Sequence, residues 1–289
     1  VITAVRTQSL GNNLEHDTLQ GAYNSLVQVD ADTYALAYSG SDFDGFISTF
    51  TISSSGVITA VRTQSLGNNL EHDTAQGKYN SLVQVDADTY ALAYAADASD
   101  GYISTFDIAA DGTTITEVAT LEHDTDNGTF NSLVQVDSDT YALAYAGTGQ
   151  DGFISTFTIS SSGVITAVRT QSLGNNLEHD TVHGRYNSLV QVDSDTYALA
   201  YTGDDPDANF SGNGFISTFT ISSSGAITAV KTQSLGNNLE HDTVQGYFNS
   251  LVQVDSDTYA LAYSGSDYDG FISTFDIAAD GTITAVKTQ

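Results

Sequence analysis

The pentapeptide Leu-Glu-His-Asp-Thr occurs five times, at residues 14–18, 70–74, 121–125, 177–181 and 239–243. Glu, His and Asp are the residue types of general acid–base catalysis, of oxygen and nitrogen metal ligation, and of charge-assisted hydrogen bonding. Multiplicity decides among them. A catalytic centre needs titrating groups whose environments push their pKa values apart, and near-identical copies offer no such asymmetry. A binding site or a structural staple, by contrast, can be repeated. The expectation is therefore a protein that is not an enzyme, with no catalytic residues, in which His16 and Asp17, His72 and Asp73, His123 and Asp124, His179 and Asp180, and His241 and Asp242 are candidate ligand contacts.

Two further sets of side chains join them. An aromatic residue follows each pentapeptide: Tyr23, Tyr79, Phe130, Tyr186 and Phe248. A ring beside carboxylates and carboxamides suits a sugar, covering its apolar face while polar groups bond its hydroxyls. An acidic residue also precedes a Gly-aromatic pair in four of the repeats, as Asp44, Asp100, Asp151 and Asp269, with Asn213 in the fourth repeat. The strings SDFDG and SDYDG are fragments of a calcium loop, but calcium takes six to eight oxygens. The corresponding strings ADASDG, GTGQDG and FSGNG lose the spacing. Turn formation accounts for these Asp and Gly residues, with a calcium ion in the first or fifth repeat left open. No metal and no cofactor is expected.

The elements that carry these residues are repeats. Steps of 56, 51, 56 and 62 residues separate His16, His72, His123, His179 and His241. The short step lacks the string QSLGNN, and the long one carries an insertion around Pro206, the single proline. In the first repeat, residues 23–30, 33–40, 46–53 and 57–64 read as strands, with alternating apolar and β-branched residues punctuated by Asp, Ser and Gly. The repeat boundaries fall near 1–56, 57–112, 113–163, 164–225 and 226–281, followed by a repeat-start strand at 282–289, within one domain spanning 1–289. The string ITAV opens the chain at 2–5 and returns at 283–286, so one copy is spare, free to cap an edge or pair with a second molecule.

Four strands per repeat, five times over, resemble the blades of a β-propeller, and the likeness covers the whole chain. The resemblance implies an all-β, five-bladed propeller with four-stranded antiparallel blades. The layout also resembles that of WD repeats, although the Trp-Asp signature is absent. There a His before the inner strand and an Asp in the second turn form a buried staple, which implies pairs such as His16 with Asp44 and His72 with Asp100. Blade count and site multiplicity are similar to those of tachylectin-type lectins, which implies repeated glycan sites that gain avidity together.

With 7 basic and 36 acidic residues the net charge is −29, which repels phosphate backbones and anionic lipid. Nucleic acid is thereby excluded as a partner. No apolar run is long enough to span a membrane, and without Cys there is no disulfide or thiol chemistry. The expectation is an extracellular or surface-displayed binding module for a glycan or a protein surface. The alternatives are a spacer from a longer repetitive surface or phage protein, and a polysaccharide hydrolase, which would need a cluster of unlike residues.

Overall fold

The computed structural model describes residues 6–8, 11–204 and 212–287. The N-terminal ITAV copy and Pro206 lie outside them. The protein is all-β, of the propeller class, built from four-stranded antiparallel blades. In the first blade β1 (Ala22–Gln28), β2 (Thr33–Ser39), β3 (Gly45–Ile52) and β4 (Ile58–Arg62) pair in sequence order. Among the described residues four more such sheets follow, with inner strands Lys78–Gln84, Thr129–Gln135, Arg185–Gln191 and Tyr247–Gln253. The fifth is completed by Ile283–Lys287, the C-terminal ITAV copy.

Local chemistry accounts for each element. The second strands, reading Thr-Tyr-Ala-Leu-Ala-Tyr, are buried on both faces, hence their continuous apolar run. A tight turn joins β1 to β2, Val29 and Asp30 both donating to the Thr33 carbonyl. The β3–β4 turn closes through Gly56 at φ 77, a left-handed conformation in which a side chain would be strained. Each inner strand opens on a β-bulge. The aromatic residue at that bulge sits in the left-handed region: Tyr23 at φ 52, Tyr79 at 55, Phe130 at 56, Tyr186 at 51 and Phe248 at 55.

Outside its first copy the pentapeptide is not a loop. Residues Leu70–Asp73 form a short strand, β5, that pairs antiparallel with β3 of the preceding blade, Phe46 opposite Glu71. Leu177–Asp180 and Leu239–Asp242 do the same against the third strands of the third and fourth blades. The string QSLGNN is therefore a bulge that interrupts an outer strand, folded as one 3-10 turn with a left-handed glycine at its end. Where QSLGNN is missing, the outer strand runs unbroken from Ile115 to Asp124.

Two compact units divide the chain. The first comprises residues 1–97, 102–121 and 160–164, and its core joins the back of the first blade (Ala35, Ala37, Ile47) to the front of the second (Leu82, Tyr90, Leu92). The second comprises residues 98–101, 122–159 and 165–289 and repeats that packing twice, Ile154 with Leu189 and Tyr197, then Ile216 with Leu251 and Tyr259. Among the described residues no helix is long and apolar enough to cross a membrane.

Candidate active site

Because the pentapeptide extends the previous blade's outer strand, its residues meet the turn of the preceding repeat. Asp44 lies beside Glu71 and Asp73, and Asp151 beside Glu178. The His–Asp staple that the WD-like layout implied is not formed. Both ring nitrogens of His72, His123, His179 and His241 lack a hydrogen-bond partner, as does Nδ1 of His16. These imidazoles act as apolar wedges. His179 stands edge-on to Tyr201 and Phe219 of the next blade, with ring centroids 4.8 and 5.8 Å away, and its neighbour within its own sheet is Gly152, where a Cβ would come within 2.5 Å of the ring. His72 repeats the arrangement against Gly45, and His123 against Gly101. Burial pushes the imidazoles of His72, His123 and His179 down to about 3 and that of His241 to about 4. As candidate ligand contacts they are corrected by burial: His123 and His179 expose nothing to solvent.

The neighbouring aspartates shape turns. In each copy one carboxylate oxygen accepts from the backbone two and three residues on, as Asp180 Oδ1 does from Val182 N at 2.9 Å and His183 N at 3.1 Å. Asp17, Asp73, Asp124 and Asp242 do likewise. Asp44, Asp100, Asp151 and Asp269 each immediately precede a third strand. The aromatic residues of the bulges stack on one another from blade to blade. Tyr23 lies 4.6 Å from Tyr79 in the first unit, and in the second Tyr186 lies 4.6 Å from both Phe130 and Phe248.

One junction differs from the others. Where four repeats carry an amide before the conserved glycine (Gln20, Gln76, Asn127 and Gln245), the fourth carries His183. Its Nδ1 lies 2.6 Å from Asp204 Oδ2, both side chains being mostly covered, at 14% and 12% exposure. The other Asp204 oxygen accepts from Gly212 N at 3.1 Å. The contact is a close approach of opposite-charge partners and not an aligned hydrogen bond, since Nδ1 has no hydrogen-bond partner. On the facing side Asp151 is hydrogen-bonded to Glu178. Burial first, then the charge and hydrogen bond of Glu178, push its carboxyl above the usual range, while the charge of His183 opposes them.

Backbone packing makes this junction. Gly184 N donates to the Gln150 carbonyl at 2.8 Å, and a Cβ on Gly184 would sit 2.2 Å from Gly152 Cα. The two glycines let the chains touch, which sets His183 next to Asp151. Elsewhere the constellation is incomplete. The first junction has Asp44 and Glu71 but Gln76, and the last has Asn213 donating to Glu240 at 2.6 Å, with Gln245. The place that Asp204 occupies belongs to Ser266 in the fifth blade, where an open depression of 280 Å³ is lined by Asp242, Thr243, Val244 and Ser266. Repeat-to-repeat comparison of single positions is the sequence signal that would have singled out His183, whereas the Asp204 position also holds Asp97 in the second repeat.

No protein-family model matches the chain, and no curated protein does. Solved structures do match in fold. A periplasmic gluconolactonase from Pseudomonas aeruginosa aligns over 93% of this chain and 72% of its own, at 14% identity and a TM-score of 0.67. A candidate 6-phosphogluconolactonase from Bacteroides uniformis aligns over 92% and 71%, at 13% identity and 0.66. An α-L-arabinofuranosidase from Lactobacillus brevis aligns over 91% and 93%, at 11% identity and 0.50. These neighbours overturn the expectation of a non-enzymatic binding module. Repetition had argued against catalysis, yet one junction of this chain departs from the repeat, and the fold is one that a gluconolactonase and an arabinofuranosidase also adopt.

Proposed function

We propose that the protein is a carbohydrate-processing hydrolase that opens the ester of a sugar lactone. The observation that carries this reading is the His183–Asp204 contact beside the Asp151–Glu178 pair, an asymmetric set in an otherwise repeated scaffold. His183 Nε2 takes a proton from water as the water oxygen attacks the lactone carbonyl, with the Asp204 carboxylate beside Nδ1. The ring C–O bond then breaks, and the protonated carboxyl of Asp151 gives its proton to the leaving oxygen. Proton exchange with solvent returns the His183 proton and restores Asp151.

Glycoside hydrolysis fits this junction less well. It uses two carboxyl groups at least about 5 Å apart, leaving room for the anomeric carbon or a water. Asp151 and Glu178 are in direct hydrogen-bond contact. The fold neighbours, which include lactonases as well as an arabinofuranosidase, support the substrate class without deciding between these two bonds.

The test is a pH-stat assay of aldonolactone opening, run alongside the 6-phosphorylated lactone and an aryl arabinofuranoside. His183→Gln installs the amide found in three of the other repeats, so the fold is retained. A lactonase rate that falls about 100-fold or more in this variant, with Asp151→Asn also impaired, is the expected result. Wild-type turnover no faster than spontaneous opening, or a rate unchanged in His183→Gln, refutes the proposal.

A further inference from the structure

Seven basic side chains stand against 36 acidic ones in this chain, so a cation with no anion beside it calls for an explanation. Most of the seven are committed. Arg6, Arg62 and Arg169 donate to the carbonyls of Asn12, Thr113 and Asn175 at 2.8, 3.2 and 3.3 Å. Lys78 lies 4.1 Å from the centre of the Phe43 ring, and the charge of Lys231 acts on Asp280. Arg185 is different. It is half-buried, its Nε is covered without a hydrogen-bond partner, and among the described residues no carboxylate forms an ion pair with it.

Arg185 also breaks the repeat. The other copies of its position hold Ala22, Lys78, Thr129 and Tyr247, and it stands two residues after His183, across Gly184. Side chains at this position reach back over the turn of the preceding blade. Lys78 covers Phe43, and Tyr247 covers Gly212, where a Cβ would meet its ring at 2.4 Å. Phe43 and Gly212 are the residues whose carbonyls accept from the repeated glycines, Gly77 N at 2.8 Å and Gly246 N at 2.9 Å. Between the third and fourth blades that residue is Gln150, whose carbonyl accepts from Gly184 N, and Asp151 follows it. Arg185 therefore extends over the turn that carries Asp151. Every residue of this junction belongs to the second unit. The charges that act on Asp151 are those of Glu178 and His183, so the guanidinium is not committed to that carboxyl.

A guanidinium with a covered, unpaired nitrogen favours an oxyanion, which its planar fork holds through two parallel hydrogen bonds. Charge decides which oxyanion. Arg185 supplies one positive charge, and Glu178, Asp180 and Asp204 stand around the same junction. A carboxylate brings one negative charge and is balanced. A phosphate monoester brings about 1.5 to 2 at neutral pH, and the excess would face those carboxylates. On the lactonase reading above, we propose that Arg185 holds a carboxylate of the substrate, which makes that substrate the lactone of a sugar diacid. Its ring carbonyl faces His183 while its acid group faces Arg185.

The test compares D-glucaro-1,4-lactone, the neutral D-glucono-1,4-lactone and the 6-phosphorylated gluconolactone in the pH-stat, with wild type, Arg185→Thr and Arg185→Lys. Threonine occupies this position in the third repeat, so the first variant folds. Wild type should open the diacid lactone with a kcat/KM about 10-fold or more above that of the other two, and Arg185→Thr should remove this preference. Arg185→Lys keeps the charge without the fork and should retain part of it. Calorimetric titration of glucarolactone into His183→Gln, with and without Arg185→Thr, reads binding apart from turnover. If wild type opens no lactone but the titration shows binding that Arg185→Thr abolishes, the lactonase reading fails and the carboxylate site stands. The proposal is overturned if wild type favours the neutral or the phosphorylated lactone, or if the preference survives Arg185→Thr. Where no lactone is opened, a titration without binding that depends on Arg185 overturns it as well.

Discussion

Acidification should unfold this protein through its buried histidines. His72, His123, His179 and His241 are held neutral, with pKa values of about 3, 3, 3 and 4 against 6.5 for the unperturbed side chain. The unfolded chain therefore binds more protons than the folded one wherever the pH lies below about 6.5 and above the folded values. Stability is complete above pH 6.5 and is lost as the pH falls towards 3. Between pH 7 and 5.5 each imidazole removes a little over ~1 kcal/mol, a figure set by the unfolded pKa alone because the folded values lie well below the window. The four together remove about 5 kcal/mol, against a typical total of about 5–15 kcal/mol.

Other groups oppose this trend. Burial raises the carboxyls of Asp124 and Asp180, and Asp44 and Asp151 are raised as well. Their protonated forms favour the fold, so they stabilise it as the pH falls through their raised values. Urea unfolding at pH 7.0, 6.5, 6.0 and 5.5 measures the slope, and His179→Leu should reduce the total drop by about a quarter. The reasoning fails if stability changes by less than about 1 kcal/mol across this range. It fails equally if the ring resonances of these four histidines titrate near pH 6.5 in the folded protein.

The close approach of glycines at the blade junctions predicts that Gly184→Ala, whose Cβ would meet Gly152 Cα at 2.2 Å, lowers the melting temperature strongly. Gly236→Ala, with open space around it, should cost only about 1 kcal/mol from its left-handed φ of 66. Ser132→Ala removes the acceptor for Leu189 N and should destabilise by about 1–3 kcal/mol in chemical denaturation, since a covered donor is left unpaired. Deleting residues 171–176 should rejoin the third blade's outer strand as in Ile115–Asp124. It should keep the far-ultraviolet spectrum and lose about 1 kcal/mol through the Asn176–Tyr145 hydrogen bond.

Period and punctuation are local properties, which is why the strands and their turns could be read from residues alone, whereas two identical ITAV copies gave no reason to prefer the C-terminal one as the strand that completes the fifth blade. The Leu-Glu-His-Asp copies were harder, because QSLGNN has the composition of a loop. Yet the one repeat without it, ITEVATLEHDT, already joined the two halves of an outer strand. Once the pentapeptide belongs to the preceding blade, its histidine faces Gly152 or Gly45 rather than a carboxylate, and no one-dimensional pattern distinguishes a stapled imidazole from a packed one. Burial decides that, and burial is a property of two blades together. The candidate active site was obscured for the opposite reason. Repetition drew attention to the positions that never change, and these are the packing residues: the wedge histidine, the turn aspartate and the inner-strand leucine. A repeated scaffold can hold one centre only where the repeat is broken. His183 and Asp204 stand at positions where no other repeat combines a histidine with a carboxylate. In a chain of near-identical units, chemistry is therefore to be sought among the differences, and stability among the identities.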